Sequence, residues 1–296
     1  MKDYLDIILA GSIAGILARI VLIRIDYRQY PGYPHGFISH FSLGAIASTL
    51  GAVAVPALMN KDFTAVTFLA LAAQQFRDIR NIERETLVNL EETRLEKRGQ
   101  DYIEGIARTF EARTYLVMAT AFLTSIAAVL GGLVAAAIIA ALLIFLSITL
   151  MTGKTIEDIC EVVPAEITFK GSLVVVEGID IMSVGLSDMR EKIKNYALAV
   201  MIHPKDDNAR ATIHDLGQRM AIAHTAAAVV GSKKDVDIPE YTPLVRKNPD
   251  TGAAALYIVP MEKDMDALLL AVKRTPVLES ARIKPLRTQA GRIAAD

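Results

Sequence analysis

Apolar residues in this chain are gathered into long uninterrupted runs rather than spread at strand or surface-helix spacing. Residues 4–23, 41–59 and 115–151 hold almost no charge, whereas 77–113 is dense with it. Crossing about 30 Å of hydrocarbon takes roughly 20 apolar residues. The runs 4–23 and 41–59 (FSLGAIASTLGAVAVPALM) therefore each predict a transmembrane helix. Asp6 and Arg19 lie near opposite ends of the first, where both could snorkel to the headgroups. The run 115–151 would overshoot the bilayer by ~25 Å as one straight helix. Gly131-Gly132 divides it, which predicts two antiparallel spans over 114–152 joined by a tight glycine turn. The segment FTAVTFLALAAQQF, 63–76, is shorter than a span. It reads as a fifth crossing extended over 63–79, or as a helix lying against the membrane.

From 152 onward the pattern changes to short alternating blocks. EITFKGSLVVV predicts two strands around Lys170-Gly171. SDMREKIKN opens like a helix with Ser187 or Asp188 as its cap, and ALAVMIHP reads as a strand ended by proline. Asp206 or Asp207 caps a predicted long helix, NARATIHDLGQRMAIAHTAAAVV, which Gly231 stops. A charged, proline-containing loop over 231–253 leads to a strand at ALYIVPM, a helix at KDMDALLLAVKR and a final strand at VLESARI, with a frayed terminus. The fold class is thus an α-helical membrane bundle of four to five transmembrane helices, followed by a small cytoplasmic α+β domain. A ferredoxin-like arrangement is the candidate for that domain. The divisions are 1–76, the charged helical loop 77–113, the hairpin 114–152 and the domain 153–296.

Composition agrees with that organisation. Hydrophobic residues make up 52% of the 296 and mean hydropathy is +0.35, while 32 basic residues balance 33 acidic ones. No basic field argues for nucleic acid. The lone Cys160 rules out an internal disulfide or a cysteine-based metal cluster. The segment 77–113 carries eight Lys or Arg, which predicts that it stays cytoplasmic. Five spans would place the N-terminus outside and the 24–28 loop inside; four would reverse both. Either count puts 153–296 in the cytoplasm, on a multi-pass inner membrane protein in contact with lipid.

Small residues recur at four-residue spacing in the first two spans: Gly11 and Gly15, Ala14 and Ala18, Ala47 and Gly51. Such ridges let helices approach closely, within one bundle or across a homo-oligomer. Arg19 is the costly residue of the first span. Snorkelling is its simplest solution, with a salt bridge inside the bundle or a place on an ion path as the alternative. Where the chain leaves that span it reads RIDYRQYPGYPHG, with prolines at 31 and 34 expected to keep the segment out of helix. Arg24, Asp26, Arg28 and Tyr30 serve either as an interfacial anchor or as a docking surface. In 77–100, Ile79, Ile82, Leu87 and Leu90 lie near one helical stripe, and Gly99 is expected to break that helix.

The stretch DYIEGIA, residues 101–107, closely matches the sequence that gives the YIEGIA family its name, and the likeness extends to RIDYRQYPGYPHG. The chain resembles a member of that family, membrane proteins of endospore-forming bacteria. The resemblance implies a sporulation context and a small soluble capping-type protein subunit as partner. It makes Tyr102, Glu104 and Gly105 interface candidates. Read from the residues, Glu104 beside Gly105 is a candidate partner for an arginine of the 24–28 loop, since five spans put both on one side of the bilayer.

No HExxH, GxSxG or GxxxxGK[ST] pattern is present, and no pair of intramembrane aspartates. His203, His214 and His224 with Asp206, Asp207 and Asp215 are near in sequence. His214 and His224, however, would lie about 15 Å apart along one helix. No catalytic residue, metal or cofactor is assigned. The sequence therefore favours a non-enzymatic membrane subunit. A transporter or channel component using Arg19, and a membrane-bound hydrolase or protease with an unfamiliar site, are the alternatives.

Overall fold

A computed structural model describes residues 4–26, 34–92, 94–151 and 153–294. The chain divides into two compact units, one of Met1–Glu85 with Ile106–Thr152 and one of Thr86–Gly105 with Gly153–Asp296.

The first unit is helical. It is built from α1 (Leu5–Asp26), α2 (Pro34–Met59) and the larger parts of α3 (Phe63–Glu91) and α4 (Gln100–Met151). Among the described residues three helices are long and apolar enough to cross a membrane: Leu5–Ile23, Gly36–Met59 and Gln100–Thr149. Close backbone approach holds them together. A Cβ on Gly51 would run into the Met118 carbonyl, and one on Gly11 would lie 2.7 Å from the Ala121 carbonyl. Ala14, Ala18 and Ala47 are buried beside them. The small-residue ridges are therefore spent within this bundle. Ser48 donates to the Ser12 carbonyl (2.7 Å) and Ser125 to the Ile7 carbonyl (3.2 Å), so hydroxyls on α2 and α4 tie both helices to α1. Gly132 leaves the helical region (φ 73°, ψ −172°), a conformation reserved for glycine, and splits α4. Thr124 before the break and Ala136 and Ala140 after it line one crevice with Ala10 and Leu17 of α1, so the chain turns back there.

Several expectations change. Pro34 begins α2 instead of delaying it to residue 41, because proline at the first helical position gives up an N–H that would go unpaired anyway. One helix, α4, carries both the YIEGIA residues and the apolar run. Among the described residues of α3 the buried positions are Phe76, Glu83, Leu87 and Glu91; of the predicted stripe Leu87 is buried, whereas Ile82 and Leu90 are exposed.

The second unit has three layers. A four-stranded antiparallel sheet in the order β1 (Cys160–Ala165), β5 (Leu198–Pro204), β7 (Ala254–Ile258), β6 (Leu244–Lys247) lies in the middle. Alternation along its strands builds two cores. Val200, Ile202, Leu256 and Ile258 share a core with the short helix α5 (Ile156–Ile159) and with α7 (Asp207–His214), α8 (Leu216–Val230) and α9 (Met265–Arg274). Ala199, Met201, Ala255 and Tyr257 face a second sheet and α6 (Ser187–Tyr196). That sheet is a meander of β2 (Ile167–Lys170), β3 (Leu173–Val176) and β4 (Ile179–Ser183). Glu177 (φ 45°) and Gly178 (φ 84°) make the β3–β4 turn, both residues in the left-handed conformation that matches strand twist.

Every described strand pairing is antiparallel. Along the chain the strands of the central sheet come in the order first, second, fourth, third, with the first two adjacent, whereas a split βαβ unit keeps its two strands apart; the ferredoxin-like order is not the one seen in this sheet. The predicted long helix is two, α7 and α8. Asp206 caps the first, accepting from the Ala209 N–H at 2.7 Å, and Asp215 caps the second, accepting from the Gln218 N–H at 2.9 Å. The N-cap of α6 is Leu186, without a side-chain bond, rather than Ser187 or Asp188. VLESARI forms a 3-10 turn at Glu279–Ala281 instead of a strand, and the terminus forms a short helix, α10 (Gln289–Ile293), capped by Thr288.

Candidate functional site

In the helical unit the charged residue of α1 is turned inward. Arg19 is 1% exposed, so it does not snorkel. Its Nη2 lies 2.9 Å from His40 Nδ1, and its Nε donates to the His40 carbonyl at 3.3 Å. A guanidinium offers only donors, so Nδ1 must accept and the ring hydrogen sits on Nε2. That nitrogen faces Glu83 Oε1 at 3.4 Å. A neutral imidazole thus links a buried cation on α1 to a buried carboxylate on α3. The arginine also stands over the Phe110 ring, 5.2 Å from its centroid, and the same ring meets His40 at 4.4 Å. Gly44 makes the space; a Cβ there would sit 3.1 Å from Arg19 Cβ and Cδ. Arg113, Thr109 and Thr114 of α4 are buried in the same unit.

Sequence reasoning singled out Arg19 and missed both partners. His40 precedes the predicted second span and Glu83 sits in a charged helix, where each reads as solvent-facing. The signal was the arginine itself: a cation that close to an apolar run calls for a buried acceptor.

In the second unit Tyr102 and Gly105 belong to a segment packed against α8 and the residues that follow α9. Glu91 receives the backbone N–H of Arg98 at 2.7 Å on one oxygen and its guanidinium on the other, closing the bend before α4. Tyr102 is 3% exposed and meets the His224 ring edge-on at 6.3 Å. Gly105 is required by contact, since a Cβ would lie 2.7 Å from Ser280 Oγ. Gly217 of α8 gives the same room to the Asp101 carbonyl, 3.0 Å from where its Cβ would be. Gln218, fully buried, fixes the turn that faces the segment. It donates to the Pro276 carbonyl at 3.1 Å and accepts from the Leu278 N–H at 2.8 Å. Burial, with Arg98 nearby, pushes the His224 imidazole down to about 4. Burial also raises the Glu96 carboxyl, against a hydrogen bond from Ser232.

Of the residues expected at an interface, Tyr102 and Gly105 are buried within the second unit, and Glu104 is partly exposed. Arg24 and Asp26 end α1, but their side chains, like Arg28 and Tyr30, lie outside the described residues. So does the expected pairing of Glu104 with that loop. Asp206 and Asp215 are engaged as helix caps.

Apolar helices able to cross a membrane, joined to a layered α+β unit, define a membrane-associated protein with a folded polar domain. The family model described as YIEGIA protein matches residues 7–288, and the chain belongs to that family. It is 40% identical over 281 residues, 95% of each chain, to Uncharacterized protein YphB of Bacillus subtilis (strain 168). No solved structure matches it.

Proposed function

We propose that this chain is a polytopic membrane subunit of a sporulation-associated complex, whose cytoplasmic α+β domain binds a small soluble protein. Five crossings fit the geometry: α1, α2, the first part of α3 and the two halves of α4 on either side of Gly132. Tyr4 donates to Asn60 at 3.0 Å, which sets the start of α1 level with the end of α2. An odd number of crossings puts the N-terminus outside and residues 153–296 inside, in keeping with the basic segment 77–113.

The observation that carries partner binding is an exposed apolar cluster on the second unit. Tyr196 (47% exposed), Val229 (54%) and Met261 (67%) lie on segments that meet near the end of α8: the Met261 N–H donates to the Val230 carbonyl, and Leu198, two residues after Tyr196, pairs with Ile258. Lys233 lies over the Tyr196 ring at 3.7 Å, and Lys263 reaches the Asn195 carbonyl at 2.7 Å, so lysines rim the cluster. A soluble domain keeps large apolar side chains exposed together where something binds them. The test is affinity isolation of the tagged chain from sporulating cells with mass spectrometry. A small protein should co-purify in fixed proportion and be lost from Met261→Asp at unchanged abundance. Recovery of the chain alone, or of the same partner with the variant, would overturn the assignment.

A further inference from the structure

We infer that α3 is the seam of a homodimer, formed by a polar stripe that meets its own copy at mid-membrane depth. The inference rests on the membrane reading above and adds an interface to it. Arg19, His40 and Glu83 touch, so they mark one level across α1, α2 and α3. From Glu83 back towards Phe63, Asp78 is five residues deeper and Gln74 nine, about 7 and 13 Å. The same steps back along α1 from Arg19 reach Ala14 and Ala10, the middle of the Leu5–Ile23 span. A second marker agrees: Leu50 and Gly51 of α2 share an apolar crevice with Ala70 and Ala73.

At these depths the outward positions of α1 are Leu9, Ile13 and Leu17, all about half exposed and all apolar. On α3 they are Gln74, Gln75 and Asp78, also exposed. With Arg80, Asn81 and Glu111 these residues line a polar crevice of about 570 Å³ on the helical unit. Carboxamides and a carboxylate are not left facing lipid tails, so protein or water covers them.

The spacing selects protein, and the same protein. Thr67, Leu71, Gln74, Asp78, Asn81 and Glu85 alternate at steps of four and three, and all are exposed. That is the seam of a left-handed helix pair. Two copies inserted with one topology bring α3 to α3 in parallel about a two-fold axis, so each position meets its counterpart. Gln74 and Asn81 carry both donors and an acceptor, which lets each amide bond its own copy. Gln75, one position off the seam, is placed to donate to the other copy's Asp78. The rim offers both signs of charge, with Arg80 paired to Glu111 at 3.7 Å.

The test is oxidative cross-linking of single cysteines in native membranes, on a Cys160→Ala background. Cys160 itself is buried, with a thiol pushed up to about 12, so the unaltered chain is the blank. Gln74→Cys, Asp78→Cys and Asn81→Cys should give disulfide-linked dimer. Ile13→Cys and Leu17→Cys, about half exposed at the same depth, should give none. Labelling of Gln74→Cys by a water-soluble maleimide without dimer would show a water-lined crevice and overturn the seam. Absence of both products would overturn it too. Carbonate washing of the same membranes separates the two claims: release of the chain defeats the membrane reading, whereas retention without cross-links defeats the seam alone.

Discussion

Arg19 and His40 are locked in one tautomeric relationship: Nη2 of the arginine lies 2.9 Å from Nδ1 of the imidazole, which leaves the ring hydrogen on the side of Glu83. The three side chains form one chain of contacts across three helices, Arg19 to His40 and His40 to Glu83. Removing one strands a charge in a low-dielectric bundle. Arg19→Ala should cost about 3–5 kcal/mol, and Arg19→Met with Glu83→Leu should recover most of it, since an apolar replacement strands no charge. Thermal unfolding of the detergent-solubilised full chain measures this. Equal loss in the single and double variants would show that the chain of contacts contributes nothing as a unit.

Gly51 is predicted to be replaceable only at a cost in packing. An added methyl would press on the Met118 carbonyl, which is backbone and cannot rotate away. Gly51→Ala should destabilise by about 1–3 kcal/mol through overpacking. At Gly131 the nearest atom is the Ala135 methyl of the same chain turn. Parallel melting curves of Gly51→Ala and Gly131→Ala should show the larger loss at Gly51.

Acid should loosen the second unit through His224. Its pKa falls to about 4 in the folded chain because burial, and then Arg98 and Arg94, disfavour the cation, with Glu91 opposing them. An unfolded histidine takes its proton near 6.5. The folded state binds fewer protons between those values, so stability is full above about 6.5 and is lost as pH falls towards 4. The loss should be on the order of 2 kcal/mol after screening of a partly exposed ring. His224→Phe should flatten that part of a pH–melting profile; a wild-type slope in the variant would assign the effect elsewhere.

Much of the architecture is legible in the sequence because membrane spans and hairpins announce themselves locally. Run length marks α1, α2 and the two halves of α4, and Gly132 sits at its break. Lys170-Gly171 falls at a real turn between β2 and β3. What was missed depends on distant partners. Asp215 reads as one more polar residue within a helical period, yet its backbone N–H closes α7 on the Thr212 carbonyl and its side chain caps α8. VLESARI has the composition of a strand, but Gln218, sixty residues earlier in sequence, takes the Leu278 N–H that a ladder would use. β6 hides in a loop rich in charge because an edge strand tolerates Arg246 and Lys247. The site was half visible: Arg19 stood out, whereas His40 and Glu83 became its partners only once three helices met.

The claim that matters most is that five crossings separate the two ends of this chain. Cysteine accessibility in intact cells tests it most directly, with a membrane-impermeant maleimide applied to Lys61→Cys between α2 and α3 and to Asp250→Cys in the second unit. The account predicts labelling at 61 from outside and at 250 only after the cells are opened. Labelling of both positions from the same side would contradict it.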